Sequence, residues 1–153
     1  MAANEKRPGY LLTVLSNKCP RCREGFIYQE RSAYKLGSIV KMREKCPVCG
    51  QPTEIEVGFY YGTGFVSYGL AVGVCILSFV AWLFVFGFSL EDNRFFWWMG
   101  CNALLLVIIQ PPMMRLSRTL WLSWFVAYDP DWKVHPLDEK QTERIVPEQM
   151  GNW

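Results

Sequence analysis

Histidine is nearly missing from this sequence of 153 residues, because His135 is the only one. It lies in a polar stretch near the carboxyl end, where a solvated position fits it better than a catalytic one. Acid–base or nucleophilic catalysis needs acid, base and nucleophile groups that converge, and the sequence offers no such set. We therefore expect a protein that is not an enzyme.

An excess of basic charge is also missing. The chain has 16 Lys and Arg against 14 Asp and Glu, a net charge of +2. A dedicated nucleic-acid binder carries a dense basic patch, whereas the basic residues between positions 18 and 45 alternate with glutamates. We expect no nucleic acid as partner, and keep a membrane-tethered nucleic-acid binder as an alternative function.

The first residues lack the pattern of a secretory signal. Their longest apolar stretch, residues 10–15, is shorter than an h-region of about 7–15 residues. We expect residues 1–16 to form a short leader and the module that follows to stay in the cytosol. The length allows about one domain of 100–200 residues, so a second large soluble core is excluded.

Charge is absent from two long segments. No charged residue occurs between Val57 and Leu90, and a second uncharged run covers residues 95–114. A helix needs about 20 apolar residues to cross a hydrocarbon core of about 30 Å. We predict transmembrane helices over residues 58–90 and 95–114, because so small a chain could not bury such helices inside a soluble domain.

Polar residues mark the ends of the second helix. Residues 91–94 form a short loop, in which Asp92 or Asn93 can cap the helix. At the far end, Pro111-Pro112 predicts a kink or an end. Arg115 and Arg118 are expected to reach phosphate headgroups. Residues 115–128 then form an interfacial helix, with a third crossing as the alternative, and residues 129–153 a polar tail.

The basic residues predict the orientation. Ten Lys and Arg precede the first helix, five follow the second, and only Arg94 lies between them. The positive-inside rule places both termini in the cytosol and residues 91–94 on the opposite, periplasmic side.

Four of the six cysteines form two C-x-x-C knuckles: Cys19, Cys22, Cys46 and Cys49. Two such turns can direct four thiolates at one tetrahedral metal, and zinc is the ion expected, with a rubredoxin-type iron as the alternative. A reducing cytosol disfavours disulfides.

We predict a β zinc ribbon over residues 17–57, with short strands at 26–28, 39–42 and 54–57. About forty residues bury little apolar area, so the metal should hold this module together. A shell closed by four cysteines has no open position for water, which makes the zinc structural.

The first membrane helix has two faces of small residues. Gly69 and Gly73 form a G-x-x-x-G pair, which predicts close packing against another membrane protein or a second copy of the chain. The alternative is that both faces pack against the second helix. Other small residues continue the pattern: Ser67, Ala71, Cys75 and Ser78. Asn102 and Gln110 are expected to form hydrogen bonds between helices, and Cys75 and Cys101 to be packing residues.

Several motifs together resemble a bacterial membrane family called domain of unknown function 983, especially its Bacteroidetes-type members. They are Cys-Pro-Arg-Cys-Arg-Glu-Gly (19–25), Cys-Pro-Val-Cys-Gly (46–50), Glu-Val-Gly-Phe-Tyr-Tyr-Gly (56–62) and Arg-Leu-Ser-Arg-Thr-Leu-Trp (115–121). The resemblance implies a protein of the bacterial inner membrane without an assigned activity, and relatives encoded near respiratory oxidase genes. We expect a non-enzymatic accessory or assembly protein, linked to a respiratory membrane complex, in which the ribbon docks a partner. An iron electron carrier remains an alternative.

Overall fold

A computed structural model of the protein describes residues 9–56, 58–87 and 93–137. The elements are α1 (Tyr10–Leu15), a 3₁₀ turn (Leu36–Ser38), a second 3₁₀ turn (Phe59–Gly62), α2 (Thr63–Phe86) and α3 (Arg94–Phe125). The predictions for residues 1–8, for most of the loop at 91–94 and for the tail beyond residue 137 lie outside the described residues.

Two of the helices are long and apolar enough to cross a membrane. The first candidate span runs over Phe59–Phe86 and the second over Arg94–Phe125. Of the most apolar 18-residue window in each, 0% and 6% is buried within the chain. The alternative of a helix buried inside a soluble domain therefore does not fit, because nearly all of these side chains stay exposed or only partly buried. Gly87, with φ of 71°, ends α2 and donates its N–H to the carbonyl of Leu83.

Helix α3 continues where the sequence predicts a kink or an end. Pro111 and Pro112 lie inside it, and the 32-residue helix also includes most of the predicted interfacial segment. Two prolines remove only two backbone donors, and the residues beyond them are held by tertiary contacts, which keep the helix intact. Residues 115–125 thus continue α3, and the predicted end of the helix at the prolines is wrong. Asn93 is the N-cap residue, although its side chain makes no capping hydrogen bond.

Helices α2 and α3 pack antiparallel along most of their length. Ser67 Oγ lies 2.8 Å from Ser117 Oγ near the start of α2, and Ser78 Oγ donates to Asn102 Oδ1 over 2.8 Å further along. The predicted interhelical hydrogen bond of Asn102 is confirmed. Gln110, in contrast, lies on the exposed side of α3.

The cysteine module, residues 17–56, contains no strand, so the predicted β ribbon is not shown; residue 57, the last of the third predicted strand, lies outside the described residues. Antiparallel pairing is limited to isolated bridges, Lys18 to Phe26, Tyr28 to Met42, and Lys45 to Pro52. The reason is that carbonyl groups on both sides of the middle hairpin, residues 28–42, bind arginine side chains of α3 instead of extending a ladder.

The end of α3 completes the core of this module. Leu122 is fully buried and Val126 is 2% exposed, although both lie in the segment predicted to rest on the membrane surface. They pack with residues of the module in one cluster: Cys19, Cys22, Ile27, Tyr28, Cys46 and Ile55. Cysteine module and α3 therefore share a single hydrophobic core.

Candidate metal centre

The first knuckle turns tightly around Cys19 and Cys22. The N–H of Cys19 donates to the carbonyl of Gly25 over 2.7 Å, and the N–H of Arg23 donates back to the carbonyl of Cys19 over 2.8 Å. Arg23 has φ of 60°, in the left-handed region. This reversal turns the chain directly after the second cysteine of the pair.

The second knuckle repeats this arrangement. The N–H of Cys46 donates to the carbonyl of Gln51 over 2.8 Å, and the N–H of Gly50 donates to the carbonyl of Cys46 over 3.0 Å. Gly50 has φ of 73° at the position that Arg23 occupies in the first knuckle. Glycine enters this region without steric cost. Two copies of one turn thus present two pairs of sulfurs.

The four sulfur atoms converge at one point. All lie within 4.8 Å of one another, with separations of 3.7 Å between Cys19 and Cys49 and 3.8 Å between Cys22 and Cys46. Four thiolates bound tetrahedrally to zinc at about 2.3 Å are about 3.8 Å apart, since a tetrahedron's edge is about 1.63 times its radius. The four-cysteine group can hold one metal ion, and the geometry fits a tetrahedral site.

Hydrogen bonding among the thiols shifts their pKa values in opposite directions. A hydrogen bond with Cys22 raises the pKa of Cys19 far above its usual range, while the same contact holds the pKa of Cys22 far below it. A hydrogen bond with Cys19 lowers the pKa of Cys46 to about 7. A metal ion would replace the shared protons, because the thiolate is the form that binds metals.

Gly25 is required beside the sulfurs, and the sequence motifs did not single it out as a site residue. A Cβ atom at this position would overlap Cys46 Sγ and would come within 3.2 Å of Val48. The first knuckle can therefore approach the second only where residue 25 has no side chain. Its carbonyl also closes the first turn by accepting from Cys19.

The start of the predicted tail covers the first knuckle. Arg21 is 4% exposed, and its Nη2 donates to Asp129 Oδ2 over 3.3 Å and to the carbonyls of His135 and Pro136 over 3.0 Å each. Burial of the Asp129 carboxyl opposes ionisation, but hydrogen bonds from His135, the backbone of Asp131 and Arg21 outweigh it and lower its pKa. Residues 129–137 are thus part of the module.

Arg115 fixes the module to α3. The residue is 1% exposed, so the prediction that it reaches phosphate headgroups is wrong. Its guanidinium donates to five backbone carbonyls, with distances from 2.7 to 3.5 Å, those of Glu30, Arg31, Ser32, Ser38 and Ile39. It lies 4.8 Å from the centre of the Tyr28 ring. A buried guanidinium must use its donors, and the hairpin carbonyls supply the acceptors.

Among the described residues, the predicted site residues divide clearly. Cys19, Cys22, Cys46 and Cys49 come together, whereas Cys75 and Cys101 lie in α2 and α3, outside the cluster. His135 is exposed and pairs with Asp129 at 3.0 Å. Arg115 and Tyr28 were missed as supporting residues, because the sequence shows their type but not their burial.

Comparison of the chain with family models, with curated proteins and with solved structures gave no match. The fold and the cysteine geometry therefore carry the functional argument.

Proposed function

We propose that this chain is a non-enzymatic integral membrane accessory or assembly protein, in which a cytosolic zinc module is carried by a two-helix hairpin that binds a membrane partner. The observation that carries the proposal is the uneven covering of α2. One face of this helix packs against α3, and the opposite face is bare at two glycines.

The covered face of α2 uses the small polar residues. Ser67 contacts Ser117, Cys75 accepts from Asn102 over 3.3 Å, and Ser78 donates to Asn102. These positions lie close together around the helix at 100° per residue. They leave no room for a further partner on that side.

The bare face carries Gly69 and Gly73. A Cβ atom at either position would meet nothing within 4 Å. Both glycines point away from the face that contacts α3, so the alternative in which α3 covers both small faces does not fit. A glycine surface gains little from lipid but allows a second helix to approach closely. This favours a helix of another membrane protein, or of a second copy, as the occupant.

Zinc is the metal we propose for the four-cysteine group. Cys19, Cys22 and Cys46 are buried, and four thiolates complete the coordination shell, which supports a structural rather than a catalytic ion. The same sulfur tetrahedron suits a rubredoxin-type iron. Metal analysis and the colour of the purified protein separate the two, since such an iron site is red and zinc is colourless.

We place the hairpin in the bacterial cytoplasmic membrane with both termini in the cytosol. The count of ten, one and five basic residues before, between and after the helices supports this orientation. The resemblance to the family of unknown function 983 supports a respiratory membrane complex as the partner.

The test is copurification in a mild detergent, followed by mass spectrometry. Gly69→Ile and Gly73→Ile should each lose the membrane partner, or self-association, while the metal content stays unchanged. Gly100→Ile is the matched control, because Gly100 lies on α3 and also has nothing within 4 Å of its Cβ position. Retention of every partner by both α2 variants would place the interface elsewhere.

A further inference from the structure

The tip of the middle hairpin of the cysteine module exposes two large side chains. Tyr34 is 59% exposed and Leu36 is 80% exposed, on either side of Lys35 at the start of the Leu36–Ser38 turn. Isolated exposed apolar residues are common on soluble surfaces. Whether these side chains face water or lipid therefore depends on where the tip lies relative to the two long helices.

Both sides of the hairpin are tied to one level of α3. Arg115 binds the carbonyls of Glu30 and Ser32 on one side, over 2.8 and 2.7 Å, and that of Ile39 on the other, over 2.7 Å. Arg118, one turn nearer the carboxyl end of α3, donates to the carbonyl of Val40 over 3.1 Å. The hairpin thus runs along α3, and its tip extends beyond Arg115.

Arg115 lies at the edge of the hydrocarbon layer, by two measures. About 20 residues cross that layer, so a span that begins at Phe95, directly after Arg94, ends just before Arg115. Counting about 20 residues back from the end of α2 at Phe86 reaches Ser67. Ser67 contacts Ser117, which lies two residues from Arg115.

The tip continues from this edge toward the bilayer. Going from Val40 to Ile39, the hairpin moves from Arg118 to Arg115, which is toward the amino end of α3 and toward the membrane span. Side chains on a helix lean toward its amino end, so the Arg115 guanidinium and the carbonyls around it lie nearer the bilayer centre than the Arg115 backbone. Residues 33–37 form the tip, because they connect Ser32 to Ser38, whose carbonyls both accept from Arg115.

We propose that the hairpin tip, residues 33–37, is seated in the lipid interface, with Tyr34 and Leu36 inserted among the acyl chains next to the headgroups. Tyrosine suits this position because its ring is apolar and its hydroxyl remains near water. The neighbouring Arg31 is exposed and suits a lipid phosphate, whereas the exposed Lys35 forms an ion pair with Glu30 over 2.8 Å. The five carbonyls that accept hydrogen bonds from Arg115 then replace the water that its charged guanidinium would otherwise bind at the membrane boundary. This inference rests on the membrane crossing proposed above.

The test measures the depth of single positions in the full-length chain. An environment-sensitive fluorescent amino acid replaces Leu36, and the protein is reconstituted in vesicles of phosphatidylcholine and phosphatidylglycerol. The lipids are brominated either near the headgroup or near the chain end, and iodide is the quencher in water. Val134, 82% exposed and nine residues past the end of α3, is the aqueous control; Leu104, 63% exposed within α3 and outside the bare face of α2, is the membrane control.

The probe at Leu36 should show blue-shifted emission, resistance to iodide, and a loss of emission with headgroup-proximal bromine as large as that of Leu104 with chain-end bromine. A response at Leu36 like that of Val134, while Leu104 is quenched by lipid, would overturn the insertion of the tip and leave the membrane crossing intact. If Leu104 is also unquenched by lipid, the crossing itself fails, and the insertion of the tip fails with it. Shielding of Leu36 from iodide that increases with the ratio of chain to lipid would assign the tip to a second copy instead of to lipid.

Discussion

Arg115 Nε lies 2.7 Å from the carbonyl oxygen of Ile39, although the two residues are separated by 76 positions in the chain. This hydrogen bond connects the long apolar helix α3 with the hairpin of the cysteine module. The guanidinium has no acidic side chain as its partner among the bonds described above, and backbone oxygens surround it instead. Arg115 therefore joins the shared hydrophobic core and Arg118 in holding the module on α3.

Arg115→Lys should weaken the module, although it keeps the charge. Lysine lacks the planar fork that reaches several carbonyls, and buried groups left without a partner cost about 1–3 kcal/mol each. We expect a fall of about that size in the free energy of unfolding, measured by metal release in urea with a chelating dye. Arg31→Lys is the control because Arg31 is exposed. Equal urea midpoints for the two variants would contradict the role of Arg115.

One zinc ion should be bound per chain. Cys19→Ser combined with Cys46→Ser removes one ligand from each knuckle and should abolish zinc binding in purified protein, measured by mass spectrometry of the metal. Cys75→Ser combined with Cys101→Ser is the matched control, because neither residue belongs to the cluster. Unchanged zinc content in the first variant would sink the assignment.

Gly25→Ala should weaken the metal site without removing a ligand. The added methyl group overlaps Cys46 Sγ, so the two knuckles must separate. Changes next to metal ligands lower affinity by about 10–100-fold, and we expect faster zinc loss to a chelator within that range. Gly37→Ala is the control in the same module, because nothing lies within 4 Å of its Cβ position. The idea fails if both variants release zinc at the wild-type rate.

Tyr28 should contribute stability that disappears at high pH. Burial raises the pKa of Tyr28 from 10.0 to about 12, and its hydroxyl donates to the carbonyl of Arg115 over 2.8 Å. Because the pKa in the folded state lies above the value of 10.0 in the unfolded chain, the contribution of Tyr28 to the free energy of unfolding is complete below pH 10. It is lost as the pH rises through about 12. Tyr28→Phe should therefore cost about 0.5–1.5 kcal/mol near neutral pH.

The difference in urea midpoint between wild type and Tyr28→Phe should shrink above pH 10. The ultraviolet absorbance of tyrosinate gives the titration directly, with the variant as the blank. A normal titration near pH 10 for the extra tyrosine would show that Tyr28 is solvated.

Reporter fusions test the orientation of the hairpin. A periplasm-active reporter placed after Trp153 should be silent, and the same reporter inserted at Asp92 should be active. The reason is that most basic residues lie before the first helix and after the second, and only one lies between them. The opposite pattern of activity would reverse the topology.

Composition and spacing were enough to predict two long apolar helices and the cluster of four cysteines. Charge is absent over residues 58–90 and 95–114, and an uncharged run of that length has few structures available to it. Two C-x-x-C turns similarly limit where four sulfurs can point. Both are local patterns, since the residues that define each helix or each knuckle are neighbours in the chain.

The sequence alone did not determine how the module and the helices fit together. Whether α3 ends at Pro112 or continues depends on the contacts of Leu122 and Arg115, which come from residues 19–55 and are invisible to a helical pattern. The strands were overpredicted for the same reason, because the carbonyls that could form a ladder bind an arginine about 80 residues away. Only the tertiary structure decides which of two distant groups satisfies a buried donor, since each hydrogen bond is individually modest in free energy and leaving it unmade is costly.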